Sequence, residues 1–186
     1  ISHLLGERKV EELYYLPKMI DPEKLAIMNI AACLIPACYN AGSPLFVLVI
    51  ILQVNYSIRF GNSPISSFSY VNYGILLNNI MKDVPMLDEF RKLAYRLGLE
   101  PDSKLMRSGT FTGIGLFLHH RTAHLKETIP ILQSGYQIGL ETGSFEFVGY
   151  SGYALSLNLF WSGEILPDLK TKIISYKEKL KEVNQL

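Results

Sequence analysis

A chain of 186 residues that is 48% hydrophobic has ample apolar material for a buried core. With 18 basic and 17 acidic side chains its formal net charge is +1, which excludes the strong field of a nucleic-acid binder or of a protein held on anionic lipid. Two cysteines, Cys33 and Cys38, are too few for a disulfide framework and read as small buried thiols in a reducing, cytoplasmic compartment.

The chain opens on Ile1, and no charged-then-apolar leader follows, so residues 1–20 are expected to lead in from a preceding domain. Residues 21–186 are expected to form a single helical domain. Asp21-Pro22-Glu23 gives an N-cap followed by proline at the first helical position, and Ser43-Pro44 and Ser63-Pro64 repeat that device. Asp102 or Ser103 marks a further start. Gly61, Gly98 and Gly143 each follow an apolar or amphipathic run and are expected to close a helix in the left-handed conformation. Strand signals are weak. The spacing predicts eight helices: Glu23 to Cys38, Pro44 to Phe60, Pro64 to Lys82, Met86 to Leu97, Lys104 to His119, Leu125 to Thr142, Phe145 to Trp161 and Leu166 to Val183.

From Leu25 to Met81 the only charged side chain is Arg59. The Leu45 to Leu52 run is continuously apolar, yet Asn29, Pro36, Asn40, Gln53 and Arg59 interrupt every stretch before it reaches the roughly 20 apolar residues of a membrane-spanning helix. Helices buried in a stack are the better reading. At the other end, Leu166 to Leu186 interleaves lysines with apolar residues at helical spacing, an amphipathic helix with a basic face that caps the stack or leads into a next domain.

Short connections favour antiparallel neighbours. Small residues fall in the middle of alternate helices, at Ala32, Gly74, Gly115 and Gly152, with spacings of 42, 41 and 37 residues. This resembles a tetratricopeptide unit of about 34 residues, whose small residue lets the two helices of a pair approach closely, in a lengthened form. The expected architecture is all-α, a helix-pair solenoid with pairs over about 23–61, 64–98, 103–143 and 145–183. An irregular all-helical bundle whose glycines merely aid packing is the other reading.

Tyr14-Tyr15-Leu16-Pro17, Asp21-Pro22, Ser43-Pro44-Leu45, Asn55-Tyr56-Ser57-Ile58, Gly61-Asn62-Ser63-Pro64 and Tyr73-Gly74 follow one another as in a helical region of large bacterial multi-sensor signalling kinases. His120, His124 to Thr128, Tyr136-Gln137, Gly139 to Glu141, Phe145 to Phe147 and Tyr150-Ser151 continue the likeness to about Gly163. Such proteins join a serine/threonine-kinase-like domain, an ATPase domain, helical repeats, a GAF sensor and a histidine kinase. The resemblance implies that this chain is the repeat region, within an ATP-binding parent enzyme but without kinase chemistry of its own. The sequence departs from the family at Arg121, where a tryptophan is usual, and at Ser156 to Trp161, which replaces a His- and Tyr-rich helix end.

His119, His120 and His124, with Glu127 behind them, form the cluster that most invites a metal or catalytic reading. H-H-R-T-A-H lacks the glutamate of H-E-x-x-H, and the cluster straddles a helix junction, where imidazoles commonly cap backbone groups. No nucleophile elbow, phosphate loop or kinase catalytic loop is present, so no catalytic residue, metal or cofactor is expected. If the first helix of each pair lines a concave face, that face is neutral and presents Asn29, Asn78, Asn79, Thr112, His119, His120, Glu146, Tyr153 and Ser156. These groups suit a peptide backbone or an uncharged ligand. Equally, they pair with one another or lie under an adjacent domain. The expected function is a non-catalytic interaction or signal-relay module for a protein, a peptide or a neighbouring domain, with a small-molecule sensor pocket in an all-helical bundle as the alternative.

Overall fold

A computed structural model describes residues 5–183. The fold is all-α, and eight α-helices are found among the described residues: α1 (Pro22–Asn40), α2 (Leu45–Phe60), α3 (Ser66–Leu76), α4 (Val84–Gly98), α5 (Lys104–Gly113), α6 (Thr128–Thr142), α7 (Phe145–Trp161) and α8 (Leu166–Glu182). The caps follow the chemistry of the sequence. Asp21 accepts from the backbone N–H groups of Glu23 and Lys24 at 3.0 and 3.2 Å, Ser43 Oγ from Leu45 at 3.3 Å, and Ser63 Oγ from Ile65 at 3.2 Å. Gly143 closes α6 in the left-handed region at φ 72°.

Three terminations differ from expectation. Gly98 is the last residue of α4, and Leu99 after it stays right-handed, so no left-handed glycine is used there. The third expected helix widens into a π turn over Leu77–Met81 before Lys82 takes φ 57°, and Asp83 then caps α4 by accepting from Met86 N–H at 3.0 Å. Likewise the expected helix from Lys104 to His119 is α5 followed by a π turn, Ile114–Leu118, and a 3-10 turn, His119–Arg121.

The chain divides into two compact units, residues 1–106 and 107–186, and not at residue 20. The reason is burial: Val10, Leu13 and Met19 of the expected lead-in are 2%, 0% and 5% exposed. Residues 1–4 and 184–186, which the expected boundaries included, lie outside the described residues.

In the first unit each helix packs on its successor, α1 on α2, α2 on α3 and α3 on α4, while a 3-10 turn over Val10–Tyr15 lies on α4. Every residue of α3 is buried. Its Tyr70 and Tyr73 rings meet Phe90 of α4 at centroid distances of 5.8 and 4.8 Å. Burial pushes the Tyr70 hydroxyl well above the usual phenol range, so it remains a proton donor, and it donates to Asn62 Oδ1 at 3.2 Å. The polar side chains of this core are used internally. Gln53 of α2 donates to Met28 O of α1 at 3.1 Å and accepts from Ser69 Oγ of α3 at 3.2 Å, and Ser57 meets Ser66 at 2.7 Å.

The segment before α1 is held down by the turn after α2. Asn62 exchanges backbone hydrogen bonds with Pro17 O at 2.8 Å and Met19 N–H at 2.9 Å, and its side chain donates to Leu13 O at 2.7 Å. Gly61 permits this approach: its φ is 97°, and a Cβ there would stand 2.1 Å from Pro17 O.

In the second unit α6 packs on α7 and α7 on α8, around Leu132, Ala154 and Leu155. Close approach is real at Gly115, where a Cβ would stand 2.5 Å from Leu132 Cγ. At Gly152, however, the nearest atoms to such a Cβ lie at 3.6 Å, ordinary contact, so the small residues of the sequence period are not equivalent in space. Ser108 donates to Gly135 O at 2.8 Å, Thr112 and Ser151 hydroxyls meet at 2.6 Å, and Asn158 donates to Thr128 Oγ1 at 2.8 Å. No helix among the described residues is long and apolar enough to cross a membrane.

Candidate functional site

The nine residues expected on a neutral concave face are divided between the two compact units. Asn29, Asn78 and Asn79 belong to the first unit and the other six to the second. Thr112 and Asn78 are 4% and 8% exposed, turned into the interior instead of toward an open groove. Thr112 donates to Ser108 O at 2.7 Å, and Asn78 donates to Asn79 Oδ1 at 2.8 Å. Asn29 donates to Leu25 O within its own helix at 2.9 Å, and Ser156 to Gly152 O at 2.8 Å. Glu146 is exposed and accepts from Tyr150 at 3.3 Å, while the Tyr153 ring stands 60% exposed. The physical reason is plain for α3. The expected groove helix ends in the π turn that carries Asn78 and Asn79, and its α-helical part, α3, is enclosed by its neighbours along its whole length.

The histidines form a junction. His124 Nδ1 accepts from Lys126 N–H at 3.1 Å while Glu127 Oε1 accepts from His124 N–H at 3.0 Å, a reciprocal capping box that opens the turn before α6. His119 Nε2 lies 4.0 Å from Glu127 Oε2. Partial burial, then the charges of Arg121 and His119, hold His120 below the usual imidazole range, which favours its neutral form. Among the described residues no group of three His, Cys, Asp or Glu side chains is placed to hold a metal ion.

The surface that stands out is on α1 and α2. One side of α1 packs inward through Met28, Ala31, Ala32, Ile35 and Cys38. On the other side Ala26, Ile30, Cys33, Ala37 and Asn40, at helical spacings of four and three, are exposed. Cys33, expected to be a buried thiol, therefore faces solvent, whereas Cys38 is buried. Ile30 is 63% exposed and Leu34 46%, and on α2 Leu45 and Leu48 are 55% and 62% exposed. No charged side chain follows Lys24 on α1, and none precedes Arg59 on α2. At the start of α1, hydrogen bonding from the Lys24 ammonium and the N-terminal N–H groups holds the Asp21 carboxyl below the usual carboxylate range.

Sequence reasoning missed this surface. The available signal was that α1 carries no charge past its first turn and has aliphatic residues on both faces, which in a helix favours neighbours on both. No protein-family model, curated protein or solved structure matches the chain.

Proposed function

We propose that the chain is a non-catalytic interaction module whose contact surface is the uncovered side of α1, together with the exposed aliphatic residues of α2. The occupant is an α-helix presenting an uncharged aliphatic face, supplied by a partner protein or a neighbouring domain. One observation carries this reading: past its first turn α1 carries no charge, and its Ile30, Cys33, Leu34 and Ala37 are bare. In a helical stack a terminal helix that faces only water carries a polar outer side, and α1 does not. Charge argues the same way, because a charged partner side chain pressed onto this face would lose its hydration with no opposite charge to replace it. A helix seated there would give α1 what α2 already has, a neighbour on each side. A place as relay between the ATPase and kinase parts of a multi-sensor signalling kinase is supported by the sequence resemblance.

The test uses synthetic helical peptides presenting an Ala/Leu/Ile face, and matched peptides with glutamate in the middle of that face, titrated into the chain while Cys33 thiol reactivity is followed. The uncharged peptide is expected to bind and shield Cys33, and Ile30→Glu with Leu34→Glu to abolish both effects. Equal binding of both peptides, or of neither, overturns the reading.

A further inference from the structure

A second surface lies in the other unit and does not rest on the α1 contact face. Helix α8 packs inward along one side: Leu169 is 4% exposed, the Tyr176 ring stands 5.2 Å from that of Tyr136, and a Cβ at Gly149 would meet Leu180 Cδ2 at 3.8 Å. At about 100° per residue, Leu166, Lys170, Ile173, Ile174, Lys177 and Lys181 fall together on one flank of the helix, and all of them are exposed. Asp168, Glu178 and Glu182 fall outside that flank.

The flank is apolar and cationic at once. Leu166, Ile174 and Ile173 are 64%, 49% and 40% exposed, and the ammonium groups of Lys170, Lys177 and Lys181 alternate with them along the helix. Glu178, at the edge of the flank, meets Lys181 at 3.4 Å, a surface pair that another anion readily replaces. A whole-chain charge of +1 gives no overall attraction to anionic lipid, but helical placement separates the signs on α8. Trp161 and Ile165, which lead into α8, are 72% and 67% exposed, and tryptophan suits the boundary between lipid headgroups and acyl chains.

We infer that this flank of α8 docks on the surface of an anionic lipid bilayer, with its aliphatic side chains at the headgroup boundary and its three ammonium groups on lipid phosphates. The interleaving favours this occupant. A lysine between aliphatic neighbours buries its stem beside them and carries its charge out to headgroup level, and a fluid surface meets every such position without a fixed pattern of its own. A soluble acidic protein would have to match carboxylates and apolar groups to each position in turn. The helix lies in the plane of the bilayer and crosses nothing. Three aliphatic side chains are too few to hold the chain on an uncharged bilayer, so attachment depends on lipid charge.

Co-sedimentation of the full chain with vesicles tests this. Vesicles of phosphatidylcholine and phosphatidylglycerol, about three to one, are expected to bind it at least about tenfold more tightly than phosphatidylcholine alone. Lys170→Glu with Lys177→Glu is expected to weaken that binding by at least about tenfold, and Lys172→Glu with Lys179→Glu, the same change of net charge on the opposite flank, to weaken it less. Leu166→Ser with Ile173→Ser is expected to lose at least about tenfold without any change of charge. All of these positions are exposed, so the variants fold, as an unchanged circular-dichroism melt verifies. Absence of binding to the anionic vesicles, equal binding to uncharged ones, or equal losses in the two charge-reversed pairs overturns the inference. So does an unchanged affinity in the serine pair, or equally tight binding to soluble polyglutamate, which would mark an acidic protein as the occupant.

Discussion

Helices α1 and α3 begin from nearly the same sequence property and end in opposite situations. Past its first turn α1 carries no charge, and α3 carries none at all. Yet α3 is enclosed along its whole length, with Ser66, Ser69 and Asn72 bonded inside the unit, whereas α1 covers one side on α2 and leaves Ile30, Cys33 and Leu34 in solvent. The difference teaches that lack of charge marks a helix for burial without saying what buries it. For α3 the answer lies within the unit, between α2 and α4. For α1 only one side is covered within the unit, which is why we propose the contact surface there.

The comparison is broken most severely in the enclosed helix. Tyr70→Ala removes a fully buried ring that packs on Phe90 and donates to Asn62, and is expected to cost about 3–5 kcal/mol in urea denaturation. Next comes the residue that links the two helices. Gln53→Ala deletes a side chain that is 0% exposed and hydrogen-bonded to both α1 and α3, at an expected cost of about 1–3 kcal/mol with the slope against denaturant unchanged.

A smaller loss is expected from Asp21→Ala, which uncaps α1 and is measurable as a lowered urea midpoint. Its pH dependence has a definite sign. Because the folded-state Asp21 carboxyl titrates below its unfolded value, the contribution is fully present above the ordinary carboxylate range and is lost as pH falls through the lowered folded value. Measuring the midpoint of Asp21 and Asp21→Ala chains from neutral to acid pH should show the gap closing on the acid side.

The least effect on stability belongs to the bare face. Ile30→Lys is expected to change unfolding free energy by less than about 0.5 kcal/mol, a surface value, while removing binding of an apolar helix. In the same chain one thiol, Cys33, should react rapidly with Ellman's reagent and Cys38 only on unfolding. A large loss of stability in Ile30→Lys would mean that this side of α1 is already covered, and the contrast with α3 would disappear.

Much of the local structure was legible. Asp21-Pro22, Ser43-Pro44, Ser63-Pro64 and Gly143 act through contacts within a few residues, so their effect can be read before any tertiary neighbour is known. The capping of the turn by His124 and Glu127 is local in the same way. The candidate sites were not. The hydrogen bond from the Asn62 side chain to Leu13 O joins residues 49 apart in sequence, and no local pattern announces it.

The sequence by itself therefore determined that the chain is helical, the eight α-helices among the described residues and most of their ends, since capping, proline and glycine geometry are local. Which charge-free helix is enclosed and which is half bare, that Gly115 is crowded while Gly152 has room, and that residues 10–19 belong to the first unit were decided only by tertiary structure. Burial is a property of neighbours, and a helix's own residues state how much apolar surface it offers but not what will cover it.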